Sequence, residues 1–414
     1  MKIQQSLFSF ALLISGIMNA SQDPFGMCEE LYRRSKYDSA DACYSRQYQA
    51  FRDLVTGAVR ARAETNWGDV KLALGYYKDG WALRESRAEL MVTRLQNKWD
   101  GSNPYGKTIL VRTVNDGGWG DIFFFLRYVS FLNDLGANTI IEVPAPLKNL
   151  FLQCAKGQST SNCARPYINK VISPKDLTPY FDYDVWMMDL PKYLSHDYLR
   201  DSVQLGTTLI SSIPTIGQYM FAHNEFIGKF ENMLPKDVFK VGICWKSSPL
   251  PASAVRKLER DIPLSLLSKI GTVEGVKLYN ITLNKPVRQC NATATTEAFD
   301  IIPNDAPSIS SFPDFDCAGG AFMDTAAAIV NMDLIISVDT AVPNLAGALY
   351  KKTWILLPYE ADWRWGSDRN DNKTPWHPTA RLFWQKVQGD WNPVIEKVIP
   401  ALQQEVAEWK QKNK

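Results

Sequence analysis

The chain has two acidic positions at which a ligand could bind, and one of them is Asp339. The apolar segment Leu334–Val338 is followed directly by Asp339 and Thr340, and a predicted helix of small residues begins with Leu345–Leu349. A strand, a turn and a helix in this order can present backbone N–H groups and a helix dipole to an anion, usually a phosphate. The pattern favours such a turn, and a simple helix cap is the alternative.

The other acidic position is Asp121, at the end of the glycine-rich segment Asn115–Asp121. A carboxylate there can act as a general base that takes the proton of an attacking hydroxyl group. It can also cap the predicted helix Ile122–Leu135 by accepting hydrogen bonds from its free N–H groups. The residues alone leave both roles open.

Strand-like and helix-like segments alternate around both positions, which predicts parallel sheets covered by helices. Ligands of such sheets bind at the carboxyl ends of the strands, so two α/β halves would place Asp121 and Asp339 at a shared cleft. The predicted strands are Thr108–Thr113, Thr139–Val143, Phe239–Trp245, Val276–Ile281, Leu334–Val338 and Thr353–Leu357.

The organisation along the chain follows from these patterns. We predict several short helices over 21–105, a Rossmann-like domain over 106–235, a second one over 236–392 and a C-terminal helix over 393–414. Residues 1–20 carry one lysine and the apolar run Leu7–Met18, which is typical of a cleavable secretory signal. Because that run is shorter than the ~20 residues of a membrane span, we expect export to the periplasm or beyond without stable membrane insertion.

Composition excludes some classes of partner and indicates the redox compartment. The 46 basic and 44 acidic residues give a net charge of +2, which provides no reason to expect nucleic acid as a partner. The seven cysteines suit an oxidising compartment, whereas a metal site is disfavoured by three histidines and no CxxC motif. We predict a buried thiol at Cys244, and other pairings stay open. The predicted local disulfides are Cys28–Cys43, Cys154–Cys163 and Cys290–Cys317.

Several motifs resemble a known family. The specific string runs from Asp324 to Trp391 and contains MDTAAAIVNMDLIISVDTAVPNLAGAL, DWRW, PWHPTARLFWQ and GDW. Shorter matches are GYYKDGWALRESR, WDGSNPYGKTILV, GGWGDIFFFLRYVSFLNDLGA, FDYDVWMMDLP, KVGICWKSS and RDIPLSLLSKI, and the whole covers roughly 75–391. In this order they resemble bacterial tetratricopeptide-linked glycosyltransferases, relatives of ADP-heptose:lipopolysaccharide heptosyltransferases and, more remotely, of O-GlcNAc transferases.

The resemblance implies a GT-B fold, with the acceptor on the first α/β half and a nucleotide-sugar donor on the second. It implies that Asp121 is the general base and that no metal or further cofactor is needed, since helix N-termini and basic side chains can carry the leaving-group charge. The implied donor-binding residues are Lys246, Arg260, Asp339, Thr340, Ala341 and Asn344. Asn344 stands where the family usually has histidine.

Three aromatic residues, one in the glycine-rich segment of the first half and two near the end of the second half, suggest weaker contacts to an acceptor or sugar. Trp119, Trp363 and His377 are such candidates, and Trp365, Trp376 and Trp384 lie in the same segment as the last two. The alternative is core packing for the tryptophans, because aromatic side chains bury large areas. For His377 the alternative is a polar surface position.

The sequence therefore predicts an exported glycosyltransferase that moves a sugar to an acceptor hydroxyl on a glycan, a lipid-linked molecule or a protein. The alternative is a non-catalytic exported protein that keeps the fold and binds a carbohydrate or nucleotide. That alternative is motivated by Asn344 and by the compartment, because nucleotide sugars are made in the cytosol. Action inside another cell would restore the donor supply.

Overall fold

The computed structural model describes residues 23–91, 94–113, 117–157, 163, 167–194, 217–247, 260–282, 309–317 and 319–413. Helices and strands are numbered below over this part of the chain. The predicted signal peptide at 1–20 and Cys290 lie outside the described residues. No helix in the described ranges is long and apolar enough to span a bilayer.

Short helices open the chain, as the sequence predicts. They are α1 (Gly26–Arg33), α2 (Tyr37–Phe51), α3 (Gly57–Ala73) and α4 (Tyr77–Arg84), followed by the 3₁₀ helix Glu85–Leu90.

The motif GYYKDGW at 75–81 predicts a turn between two of these helices, but the observed turn between α3 and α4 is shorter. Gly75 has a φ of +85°, which suits glycine, and it ends the turn after α3. Gly80 lies inside α4 rather than in the turn, and a Cβ atom there would lie 2.7 Å from the side chain of Leu72. The two helices therefore pack at a distance that only a residue without a side chain permits.

The first sheet has four parallel strands in the order β3-β2-β1-β4. Helices follow β1, β2 and β4, and the predicted helix Ile122–Leu135 is two helices that meet at Leu126 and begin at Trp119. The strands are β1 (Thr108–Arg112), β2 (Asn138–Glu142), β3 (Lys170–Ile172) and β4 (Tyr183–Trp186), and the helices are α5 (Trp119–Phe125), α6 (Arg127–Asp134), α7 (Lys148–Leu152) and α8 (Leu190–Leu194).

The second sheet has six parallel strands in the order β10-β9-β8-β5-β6-β7. Strand β8 has the predicted bounds, and all five of its residues are buried between β5 and β9. The strands are β5 (Phe239–Cys244), β6 (Val276–Asn280), β7 (Ile309–Ser310), β8 (Leu334–Val338), β9 (Thr353–Leu357) and β10 (Ala380–Trp384), and the helices are α9 (Asn224–Met233), α10 (Leu264–Leu267), α11 (Met323–Asn331), α12 (Ala341–Ala348) and α13 (Asn392–Lys412). The predicted class, mixed α/β with parallel sheets, is confirmed.

The opening helices pack against both sheet-bearing halves through aromatic side chains. The ring of Trp81 lies 5.9 Å from that of Phe125 in α5, and 5.5 Å and 6.4 Å from those of Trp363 and Trp376. All four residues belong to one continuous apolar core. The helical region therefore supports the segment that contains the predicted aromatic contacts.

The cysteines follow the predicted pairing only in part. Cys28 and Cys43 form a disulfide that joins α1 to α2. The predicted Cys154–Cys163 disulfide is wrong, because Cys154 is a buried thiol whose sulfur donates to the carbonyl of Tyr219 at 3.7 Å. Burial raises the pKa of Cys154 to about 12. Cys317 is disulfide-bonded, and Cys244 is a buried thiol as predicted.

Candidate active site

Asp121 lies in the first turn of α5 and accepts two hydrogen bonds. Its Oδ2 accepts from the N–H of Gly118 at 2.7 Å, which is the capping interaction that the sequence left open. Its Oδ1 accepts from a guanidinium nitrogen of Arg364 in the second half. The Asp121 side chain is 23% exposed to solvent, and each of its carboxylate oxygens has a second lone pair that can accept a hydrogen bond. With the cap in place, Asp121 can therefore still accept a hydrogen bond from another donor.

Arg364 joins the carboxylates of Asp121 and Asp362, and the sequence reasoning missed it. Besides Asp121, it donates through Nη1 to Asp362 at 2.8 Å, and its own N–H donates to the same carboxylate at 3.1 Å. Although burial opposes its charge, Asp362, Asp121 and Asp339 raise the pKa of Arg364 above its ordinary value. The sequence does place Arg364 between two tryptophans. An arginine with large apolar neighbours on both sides can be buried along its stem, and this pattern could have indicated its position.

Aromatic rings hold Arg364 in place. Its guanidinium carbon lies 4.9 Å from the ring centres of both Phe124 and Trp363. Trp363 is 3% exposed and is covered in turn by the guanidinium of Arg84, 5.6 Å from its ring. Cation–ring contacts of this kind are strongest where water is excluded. The guanidinium group that meets Asp121 is therefore fixed by the core.

The first turns of α5 and α12 contact each other. A Cβ atom on Gly120 would lie 3.1 Å from the Cα atom of Ala341 and 3.3 Å from the side-chain nitrogen of Asn344. Glycine at this position allows one helix start to approach the backbone of the other. The approach brings Asp121 of the first half to the turn that follows β8 in the second half.

Asp339 directly follows β8 as a buried acid beside two arginines. It is 6% exposed, and its carbonyl accepts from Nη1 of Arg260 at 2.9 Å. Burial raises the pKa of the Asp339 carboxyl to about 6, Asp362 adds to this rise, and the charges of Arg260 and Arg364 oppose it. The predicted pair Asp339 and Arg260 is thus in direct contact.

We expect Asp339→Asn to change how stability depends on pH. The native state binds the Asp339 proton more tightly than the unfolded chain, in which the pKa is about 3.9. This group therefore lowers the free energy of unfolding as pH rises from about 4 to about 6, and its effect is constant above that range. Asn does not titrate, so the variant does not lose this free energy. In urea titrations, the free energy of unfolding of the variant should therefore rise relative to that of wild type over the same pH range. A constant difference would contradict the raised pKa.

Thr340 caps α12, which starts four residues earlier than predicted. Its hydroxyl accepts from the N–H of Val342 at 3.2 Å, and Pro343 lies in the first turn, where its missing N–H is not needed. Only the N–H of Ala341 is left without a partner among the described residues of this turn. The turn can thus offer an anion one backbone donor, the helix dipole and the Thr340 hydroxyl.

Lys246 and Arg260 stand at the two ends of the segment 248–259, which lies outside the described residues. The ends are held together, since Ile262 N–H donates to the Trp245 carbonyl at 3.0 Å and Ser247 donates to the Asp261 carboxylate. The side chain of Lys246 is exposed at the same sheet edge as Asp339, whereas the Nε of Arg260 is buried with no partner in the described part.

His377 and Asn344 form a buried polar contact, so the alternative of a polar surface position for His377 is wrong. His377 is 1% exposed, and its Nε2 lies 3.3 Å from Oδ1 of Asn344. On its other side, Nδ1 lies 3.4 Å from Nη2 of Arg127 in α6. Burial first, and then the charges of Arg127 and Arg364, lower the pKa of His377 well below its ordinary value, so the ring is neutral.

Of the predicted sugar-contacting aromatics, only Trp119 keeps an exposed surface. It lies half-buried at the start of α5, with its ring 5.7 Å from that of Phe322. Trp363 and His377 offer no free face because both are buried. The other tryptophans of the segment pack in the core, as the alternative prediction had it: Trp365, Trp376 and Trp384.

Comparison with known proteins gives distant likenesses. The chain matches no protein-family model. Among curated proteins it is similar to Protein FlbA of Caulobacter vibrioides, with 24% identity over 355 residues. The match covers 80% of this chain and 53% of FlbA, so the chain spans about half the length of that relative.

Among solved structures, it is similar to the family 9 glycosyl transferase of Veillonella parvula, with a TM-score of 0.47 and 12% identity over 75% of this chain and 100% of the other. It is also similar to ADP-heptose lps heptosyltransferase II of E. coli, with a TM-score of 0.43 and 13% identity over 73% and 99% of the two chains. The resemblance drawn from the sequence motifs also named heptosyltransferases. The links to tetratricopeptide-linked and O-GlcNAc enzymes stay predictions.

Proposed function

We propose that this protein is a glycosyltransferase that moves a sugar from a phosphate-activated donor, a nucleotide sugar, to an acceptor hydroxyl group. The observation that carries the proposal is the contact between the first turns of α5 and α12. It brings a carboxylate from the first half, Asp121, to a turn in the second half that has free anion-binding capacity. A GT-B enzyme needs this pair of features on opposite sides of its cleft.

On the acceptor side, Asp121 takes the proton of the attacking hydroxyl. The hydroxyl oxygen forms a bond to the anomeric carbon, and the bond from that carbon to the donor phosphate breaks. Both oxygens of Asp121 already accept one hydrogen bond, so the carboxylate is oriented before the acceptor arrives. Fixed orientation of this kind is what makes a general base effective.

On the donor side, the leaving diphosphate gains negative charge as the bond breaks. The N–H of Ala341, the Thr340 hydroxyl and the dipole of α12 stabilise it, and Arg260 and Lys246 supply positive charge at the same edge. Asp339, whose carbonyl holds Arg260 at 2.9 Å, belongs to the same donor side. No metal ion or further cofactor is required by this scheme.

We further infer an exported protein, in the periplasm or secreted, that acts on a glycan, a lipid-linked molecule or a protein. The support is the signal-like N-terminus together with the Cys28–Cys43 disulfide, since disulfides persist in oxidising compartments. Two further features favour a second candidate, a binding protein that does not catalyse transfer. Arg364 already pairs with Asp121, and Asn344 replaces the imidazole expected from the resemblance.

A panel of ADP-, UDP- and GDP-sugars separates the two candidates. We expect calorimetry to detect binding of at least one of them, and we expect release of the nucleoside diphosphate when acceptors are added. Binding without transfer or hydrolysis would support the binding protein, and no binding at all would contradict both candidates. Arg260→Gln should weaken binding, whereas Arg381→Gln, an exposed arginine on β10, serves as the matched control.

A further inference from the structure

A chain of buried polar groups crosses the core from the first half of the molecule to the donor turn. It runs from Arg127 through His377 to Asn344 and ends at the carbonyl of Thr340. The three side chains are 1%, 1% and 4% exposed. Polar groups with this degree of burial are costly unless they are hydrogen-bonded, so the contacts between them define their orientation.

The direction of each hydrogen bond follows from its partners. Arginine can only donate, so Nδ1 of His377, 3.4 Å from Nη2 of Arg127, is the acceptor. The neutral ring then carries its proton on Nε2 and donates to Oδ1 of Asn344 at 3.3 Å. This leaves Nδ2 of Asn344 as the donor to the Thr340 carbonyl at 3.0 Å.

Arg127 is itself held without a carboxylate partner among the described residues. It donates to the carbonyls of Phe124 and Trp376 at 2.9 Å and 2.5 Å and to the hydroxyl of Tyr219 at 3.0 Å. The Trp376 carbonyl belongs to the residue directly before His377, so one guanidinium group holds both the backbone and the ring at this point. Such a group acts as a clamp for the loop that carries His377.

At its Asn344 end, this row of hydrogen-bonded side chains reaches the turn that is proposed to meet the donor phosphate. Asn344 contacts that turn from inside, because its side-chain nitrogen lies beside the position of Gly120 as well as at the Thr340 carbonyl. Thr340 in turn caps α12 through the N–H of Val342. A change at His377 can therefore reach the donor turn through Asn344.

We propose that Arg127 and His377 are positioning residues, which orient Asn344 and through it hold the Thr340–Ala341 turn in the conformation that receives the donor phosphate. The proposal rests on the proposed function and adds two residues to it. Neither residue touches the ligand. Their role depends on His377 donating to Oδ1 of Asn344, so that Nδ2 of Asn344 faces the Thr340 carbonyl. A side chain that only fills the core would not need this donor.

Two substitutions of His377 distinguish the loss of its hydrogen bond to Asn344 from a change in core packing. Glutamine places an amide nitrogen near the position of Nε2, so it can still donate to Asn344, whereas asparagine is too short to do so. With ADP, UDP and GDP as probes in calorimetry, we expect His377→Asn to raise Kd about five- to tenfold, the size of one hydrogen bond. His377→Gln should stay within about twofold of wild type. Equal losses in both variants would overturn the proposal.

A second measurement is independent of any ligand. Amide hydrogen exchange at Val342, whose N–H is held by Thr340, should be faster in His377→Asn and unchanged in His377→Gln. With three histidines in the chain, ¹⁵N spectra should also show one ring protonated on Nε2 at neutral pH, and its signals should vanish in either variant. If wild type binds none of the nucleotides, the proposed function fails, and equal exchange in the two variants would separately overturn the positioning role.

Discussion

Asp121→Asn should lower the rate of sugar transfer by about 10²- to 10⁴-fold, which is the usual contribution of a general base. Asparagine can still accept from Gly118 N–H, and Arg364 keeps its bond to Asp362, so the local structure has reason to persist. The donor turn is not altered. We therefore expect the loss in kcat, measured by release of nucleoside diphosphate, with the Kd for the nucleotide unchanged.

Asp362→Asn is the matched control for this prediction. It removes a carboxylate from the same arginine but leaves the proposed base in place, so its effect on kcat should be much smaller. Undiminished transfer by Asp121→Asn would remove the base from the mechanism. An equal loss in both variants would instead assign the effect to the position of Arg364.

Gly347→Ala should destabilise the protein by about 1 to 3 kcal/mol, the usual cost of overfilling a packed core. A Cβ atom at this position in α12 would lie 2.5 Å and 2.6 Å from Cε1 and Cγ of the His377 ring. The ring is buried and held on both sides, by Arg127 and by Asn344, so it has no open space to enter. Urea unfolding monitored by tryptophan fluorescence measures the loss.

Two comparisons make this prediction specific. In a His377→Ala background the clash is absent, and Gly347→Ala should then stabilise by up to about 1 kcal/mol because alanine favours a helix. Gly228→Ala in α9 is the matched helical glycine, since nothing lies within 4 Å of its Cβ position, and it should also stabilise. Destabilisation of similar size at Gly228, or in the His377→Ala background, would contradict the clash with the ring.

Elements with a strong local pattern were predictable. Strands β8 and β9 have the predicted bounds because each is a largely apolar run whose five residues are all buried. Strands β3, β4, β7 and β10 were missed: the first three have only two to four residues, and β10 begins with two residues that are not buried. The early start of α12 was missed, and Pro343 lies in its first turn, where a proline is well tolerated.

The features of the site also differ in whether they depend on residues close together in the sequence or far apart. The sequence by itself determined the parallel α/β class, the acidic residues after β1 and β8, and the Cys28–Cys43 disulfide, because each depends on residues close together in the chain. Only the tertiary structure decided that Arg364 pairs with Asp121, 243 positions away, and that His377 is buried against Asn344. The first contact depends on how the two halves pack together, and the second on how the loop before β10 packs on α12. Local patterns of polarity encode neither.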